Sequence, residues 1–546
     1  MVQAHAVVHG EAAFAASTRL LRRAALGVAF SALAVPGFVG AQEGGNADHP
    51  GKPVYDRWCA ECHGVDGDGR GDAAAWMLPR PRDFTDAQYQ IRTTPSGALP
   101  TDADILRVID DGMPGTAMPG WESQLSRAQR EDLVAYLKSF SRFFEFEDAP
   151  EPIEVGGAPG ATEDRLANGR TVYDEMECWK CHGDQGRGNG ESAPTQTDDL
   201  GFPIRPADLT ENWLFNGGGS VEAIYTRLRT GLNGTPMPSY ADLVDAGVLT
   251  NDDLWDLALY VRSLSPEREP EARDVIRAAL AETLPSSLED EAWAEADRFY
   301  IPLVGQIVLE PRWFAPTVDG VWVRAVHDGS EVVLRLEWND PSQSPDPAWD
   351  RWRALVAEHV EPPPAIGPDD PGAADVLTLQ LPTEMPDGRE LPYFLGGSSS
   401  DPVYMLRWQS DAPAQESVAR GLGQVTPLDA EGGPTVEAAF AEGQWRLMVR
   451  RPLAGAGDRL DLPTGTPIPI AFFAQDGSNG ETETRGSVSS WYFLWLDAPV
   501  PTTVYTLPIT ATILTAVLGL VVVARARRAE RAAEPTTEPP LEGATP

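Results

Sequence analysis

The chain has 546 residues and a formal net charge of −39, with 42 % of its residues hydrophobic. That length allows three or four domains rather than one, and that composition excludes a mostly disordered chain. A surface this acidic repels phosphate backbones, so nucleic-acid binding is excluded early. Lysine is confined to Lys52, Lys138 and Lys180, and there are only four cysteines.

In chain order, Arg19, Arg22 and Arg23 precede an uncharged apolar stretch that closes on Val39-Gly40-Ala41. The charged, apolar and small-residue order predicts an export signal over residues 1–41 with cleavage after Ala41, or else an uncleaved anchor. Either one delivers the chain to the periplasmic side of the cell membrane.

The cysteines stand as Cys59-Ala-Glu-Cys62-His63 and Cys178-Trp-Lys-Cys181-His182. In C-x-x-C-H the two thiols add to the two vinyl groups of one haem and the adjacent imidazole ligates its iron. A zinc site would require both pairs to converge on one ion, and a redox dithiol leaves the histidine after each pair unexplained. The spacing therefore predicts two covalently bound haem c groups. Gly115-Thr116-Ala117-Met118-Pro119 is answered by Gly234-Thr235-Pro236-Met237-Pro238, and each methionine lies 55 residues after its histidine. A thioether at the same distance twice over is the natural sixth ligand, so Met118 is paired with His63 and Met237 with His182. Met113 has Leu232 as its counterpart and is the weaker candidate.

Tyr55 and Tyr173 precede the two motifs, and glycine-rich turns follow them, at Gly64, Gly67, Gly69 and Gly71 and at Gly183, Gly186, Gly188 and Gly190. Asp66 and Asp68 lack the distal glutamate of a calcium loop. Apolar residues at three- and four-residue spacing predict helices over 128–140 and 252–264. On these residues, 50–145 and 165–266 each resemble a class I cytochrome c domain. The resemblance implies a small all-α fold around a low-spin haem with histidine and methionine ligands. An acidic linker rich in Pro and Gly, 145–163, joins the two.

Residues 266–290 read as a polar linker and helix. Beyond them, short alternating runs at 321–325, 332–338, 376–380, 403–408, 445–449, 468–473 and 491–496 predict an all-β sandwich over 285–497. The phrases VRAVHDGSEVVLRLEWND (323–340), WRLMVRRPL (445–453) and FFAQDGSNGETETRGSVSSWYFLWL (472–496) are similar to the haem-binding gamma subunit of ethylbenzene dehydrogenase and dimethylsulfide dehydrogenase. That family implies a b-type haem held by Met and Lys and a relay to or from a molybdenum enzyme. Here no lysine follows Lys180, and Leu395-Gly396 stands where many relatives have a methionine. Candidate replacement ligands are His327, His359, Met385, Met405 and Met448, so a haem b in this domain stays open. Asp328-Gly329 beside His327 suggests a hairpin turn.

Finally, 504–524 is free of charge and long enough to span a bilayer, and Arg525, Arg527, Arg528 and Arg531 place the tail, 525–546, in the cytoplasm. The sum is a multidomain chain with two cytochrome c domains, a β-sandwich and one transmembrane helix. The expected function is electron transfer between an exported redox enzyme, such as a molybdenum oxidoreductase, and a quinone or cytochrome carrier of the respiratory chain, with no catalysis in the chain itself. Two other classes compete. A haem enzyme, such as a dihaem peroxidase or small-oxyanion reductase, needs an open iron position and an acid–base group beside it. A redox- or ligand-sensing module would use the haems as reporters.

Overall fold

The computed structural model describes residues 48–533, except 272, 365–371, 388–389, 422, 430–431 and 500–501. The export signal over 1–41 and the end of the tail, 534–546, lie outside the described residues.

The N-terminal part is helical. Its first segment holds helices Lys52–Trp58, Ala60–His63, Asp102–Asp111, Arg127–Lys138 and Phe143–Phe146. Its second holds Glu163–Glu175, Trp179–His182, Val221–Thr230, Ala241–Asp245 and Asn251–Ser263. Side chains start these helices where expected: Thr101 with Asp104, Ser126 with Gln129 and Thr250 with Asp253 each form a reciprocal capping box. The apolar faces then turn inward, Ile105, Leu106 and Ile109 meeting Leu133, Val134 and Leu137 in one core. Ile224 and Leu228 meet Leu254, Leu257 and Val261 in another. Glycine permits the close helix crossing in each: a Cβ on Gly51 would stand 2.3 Å from the Asp132 carbonyl, and one on Gly169 would stand 2.1 Å from that of Asp256.

The C-terminal part is a large sheet of 14 strands among the described residues. They are β1 (Val275–Leu280), β2 (Phe299–Pro302), β3 (Val304–Gly305), β4 (Gly320–His327), β5 (Glu331–Asn339), β6 (Val376–Pro382) and β7 (Val403–Gln409). There follow β8 (Ala412–Ala419), β9 (Val425–Pro427), β10 (Thr435–Ala441), β11 (Gln444–Pro452), β12 (Pro467–Gln475), β13 (Ser487–Val488) and β14 (Tyr492–Leu496). The main path runs β10-β11-β5-β4-β1-β14-β12-β6-β7-β8-β9. Strand β12 belongs to two wings at once, pairing with β14 through 467–470 and with β6 through 471–475. Inward residues of both wings fill one core: Leu334, Leu336 and Leu447 from one side, Leu379 and Leu406 from the other. Trp408 of β7 lies edge-on to Trp338 and Trp445 of the opposite wing, at ring distances of 5.7 and 4.7 Å.

Residues 275–280 correct the expectation of a polar linker and helix over 266–290. They form β1, a central strand parallel to both β4 and β14. Only Ile276 and Ala278 of the strand are buried, too short an alternation to stand out, and parallel partners leave no hairpin turn beside it. The helix Asp350–His359 is likewise unanticipated, and it matters because it faces the helical segments. Its Trp352 and Val356 pack with Trp313 and Trp349 against Leu78 of the first segment and Ala193 of the second. Arg80 spans this seam, donating to the carbonyls of Ala74 and His359 while its guanidinium lies over Phe202. Asn339 donates to Asp208 at 2.8 Å, and Arg205 stands 3.6 Å from Asp476. Asp476 is gathered there with Asp340 and Asp375 at the rim of the sheet, all three buried. The helix Thr503–Ala533 is exposed throughout, and its length and composition suffice to cross a membrane.

Leu447 is 1 % exposed at the centre of the sheet core. Leu447→Ala should cost about 2–5 kcal/mol of stability, read by chemical denaturation followed through tryptophan fluorescence.

Candidate functional site

Each C-x-x-C-H lies on a four-residue helix ended by a glycine at positive φ, Gly64 at +79° and Gly183 at +79°. The chain then folds back over the motif. Gly69 N–H donates to the His63 carbonyl at 2.9 Å and Gly71 N–H to that of Cys62 at 3.1 Å. The second copy repeats this with Gly188 to His182 at 2.8 Å and Gly190 to Cys181 at 3.0 Å. Tyr55 and Tyr173 fasten the turns from inside, each hydroxyl donating at 2.6 Å to the carbonyl of Gly64 or Gly183.

The imidazoles are held by their Nδ1 atoms. Nδ1 of His63 lies 2.9 Å from the Arg82 carbonyl, and Nδ1 of His182 lies 2.9 Å from that of Ala207. A carbonyl can only accept, so Nδ1 carries the proton and Nε2 is left with its lone pair. Burial lowers the pKa of both histidines and keeps them neutral. Phe84 stacks on His63 at 4.6 Å. The thiols are also held neutral, Cys59 pushed up to about 12 and Cys178 to about 11 by burial. None of the four cysteines is in a disulfide, and thiols as hard to ionise as those of Cys59 and Cys178 are not those of a reactive dithiol.

The methionine loops are built alike. Met113 N–H donates to the Met118 carbonyl at 3.0 Å, and Leu232 N–H to that of Met237 at 3.1 Å. In each loop the threonine hydroxyl bridges: Thr116 donates to the Met113 carbonyl and accepts from Met118 N–H, and Thr235 does the same with Leu232 and Met237. Met118 and Cys59 pack against one apolar core, Met237 and Cys178 against the other. The structure thus brings each methionine to the core that carries its own motif. The two threonines were missed in the sequence, although their repetition in G-T-x-M-P was in view. Arg82 and Ala207 carried no signal, because they act through main-chain carbonyls.

Several buried donors around these sites have no partner among the described residues: Nε and Nη1 of Arg227, Nε1 of Trp121 and the Tyr89 hydroxyl. Two thiols, a neutral imidazole with a free Nε2 and a thioether, ringed by orphaned donors, fit a haem with its acidic rim. Beside Ala207, burial raises the pKa of Asp208, and it pushes Asp319 up to about 7.

The five candidate ligands in the sheet region are not brought together. His327 is fully buried and continues the inward face of Val321, Val323 and Ala325. Met448 packs with Val326 and Val333 on the opposite face. Met405 alternates with the inward Tyr404 and Leu406 on β7, Met385 is exposed, and His359 bonds to its own helix through Leu355. No second candidate among the five is brought to His327, so they do not assemble a ligand pair.

Tyr173→Phe leaves the buried Gly183 carbonyl without its donor and should cost about 1–3 kcal/mol, measured by denaturant unfolding.

Comparison with known proteins agrees with this geometry. The cytochrome c family profile matches residues 49–141 and 166–265. The chain is 26 % identical over 233 residues to the dimethylsulfide dehydrogenase subunit gamma of Rhodovulum sulfidophilum, covering 40 % of this chain and 78 % of that one. It is 28 % identical over 227 residues to the cbb3-type cytochrome c oxidase subunit CcoP of Rhodobacter capsulatus, covering 39 % of this chain and 61 % of the subunit. Among solved structures it is similar to a chain of the Kuenenia stuttgartiensis reducing HAO-like protein complex Kustc0457/Kustc0458, with 47 % identity, a TM-score of 0.38, and 40 % of this chain and 96 % of that one covered. Residues 49–141 and 166–265 thus match the cytochrome c family, whose cofactor is covalently bound haem c, and the chain is an electron-transfer cytochrome with an apolar helix long enough to anchor it in a membrane.

Proposed function

We propose that the chain holds two haem c groups, one in each helical segment, and passes single electrons between redox proteins. Cys59 and Cys62 would form the thioethers of the first, and His63 and Met118 would ligate its iron. Cys178 and Cys181 would serve the second, with His182 and Met237 as its ligands. The observation that carries this reading is the duplicate placement of each Met and Cys on one apolar core, with each imidazole presenting a free Nε2. When bound, haem supplies an iron that alternates between ferric and ferrous.

The residues of the chain do the rest. His63 with Met118, and His182 with Met237, would each hold one iron by two protein ligands, which would leave no place for a substrate and favours a carrier over an enzyme. Tyr55, Tyr173 and the two bridging threonines hold the loops still, so that little reorganisation accompanies a change of charge. Arg227, Tyr89 and Trp121 have the free donors that a haem's acidic rim needs.

The sheet region is read as a β-sandwich that braces the two segments and offers a docking face, with no haem b of its own. Its family resemblance and the gamma-subunit relative support a molybdenum enzyme as one partner, with a quinone or cytochrome carrier as the other. Arg525, Arg527, Arg528 and Arg531 at the end of the apolar helix favour a cytoplasmic end there and haem sites on the periplasmic side. A net charge of −39 favours a basic partner and association that weakens with salt.

Pyridine haemochrome analysis of the full chain should give two c-type haems and no b-type haem per polypeptide. A count of one, or any b-type spectrum, overturns the assignment. Met118→Ala should open one iron to added imidazole or cyanide and leave the second site spectrally unchanged, whereas equal change at both sites would refute independent ligand pairs.

A further inference from the structure

Arg82 stands between the two sites and touches the framework of both. Its carbonyl accepts from Nδ1 of His63 at 2.9 Å. Its side chain runs the other way, into the second helical segment. There Nη1 lies 3.4 Å from the point where a Cβ on Gly234 would stand, beside Oε1 of Gln88 at 3.3 Å. Gly234 opens the loop that ends at Met237, and its own carbonyl accepts from Asp199 N–H at 3.2 Å. The contact is one-sided. The equivalent acceptor for His182 is Ala207, which has no charged side chain to offer, and a Cβ on the equivalent glycine, Gly115, would meet Leu214 Cβ at 3.9 Å.

The seam around Arg82 is stitched firmly enough to fix this geometry. Arg92 donates to the Thr230 carbonyl at 2.6 Å, and Arg227 donates to the Arg92 carbonyl at 3.1 Å. Burial lowers the pKa of Arg82, and Asp86 and Asp198 oppose that shift, so the guanidinium keeps its charge at neutral pH.

We propose that Arg82 is a positioning residue that couples the two sites, orienting His63 through its carbonyl and placing one half-buried positive charge beside Gly234 of the Met237 loop. The inference rests on the ligand assignment above. A positive charge beside the loop that carries an iron's ligand would favour the form with one electron more, so Arg82 would raise the midpoint potential of the Met237 site. Substituting the side chain leaves the carbonyl in place, which separates the two roles.

The test is a potentiometric titration of the full-length protein, followed optically, for the wild type, Arg82→Gln and Arg82→Lys. The Met237 site is identified by the ferric sulfur-to-iron band that Met237→Ala abolishes. Arg82→Gln should shift the reduction equilibrium of that site about tenfold toward the ferric form. Arg82→Lys, which keeps the charge, should retain most of the wild-type value. A Met237 site that stays within about twofold of the wild type in Arg82→Gln overturns the proposal, and so does Arg82→Lys shifting as far as Arg82→Gln. If Met237→Ala removes no sulfur-to-iron band, the ligand assignment fails instead, and the two failures are told apart.

Discussion

On the proposed reading, a five-residue segment carrying two thiols and an imidazole shares a haem with a methionine fifty-five residues further on, and the hydrogen bond from each imidazole Nδ1 to a main-chain carbonyl fixes how the motif is presented. It settles the tautomer, aims Nε2 and ties the motif to the loop that crosses beneath it. Because the acceptor is main chain, the bond survives any change of side chain at that position. The rest of the site follows from it. The glycines at positive φ let the chain return over the motif, the tyrosines lock that return, and the bridging threonines bring the methionine to the same apolar core.

The duplication is close in these local features and breaks where the two copies face other surfaces. Leu78 and Ala193 follow the first and second motifs at different distances, yet both are covered by the same tryptophan-rich patch around the helix Asp350–His359. One surface of the sheet region therefore grips two halves that are themselves nearly alike. Arg80 closes the first grip and Arg205 and Asn339 the second. The result holds the two helical segments in one arrangement against the sheet.

The legibility of the chain follows the range of the interactions. Cys59, Cys62 and His63 announce themselves because their chemistry is contiguous, and Met118 and Met237 because a repeat spaces them equally. The helices 128–140 and 252–264 were legible from periodicity and shift by only a residue or two in the structure, to Arg127–Lys138 and Asn251–Ser263. Strands such as β5 and β7 were legible from alternation. Strand β1 was not, since two buried residues in six make no visible pattern and its partners β4 and β14 lie far along the chain. Arg82 was invisible for a different reason: the group that bonds to His63 is one that every residue possesses.

The interior of the sheet shows how a resemblance in sequence can outlast the chemistry that went with it. A metal-bound cofactor between two wings needs two ligand side chains aimed at one point. Here His327 points inward from β4, Met448 points outward from β11, and Met405 outward from β7. Alternation forbids an easy remedy, because moving either methionine to the inner face would shift its whole strand by one register step and turn every core residue outward. The space between the wings is instead filled by Trp338, Trp408 and Trp445, with Nε1 of Trp445 bonded to Asp375 at 3.0 Å. A core closed in this way is rigid, and rigidity is what the seam on its rim demands. On the proposed reading, the sheet serves the two sites by bracing the segments that carry them.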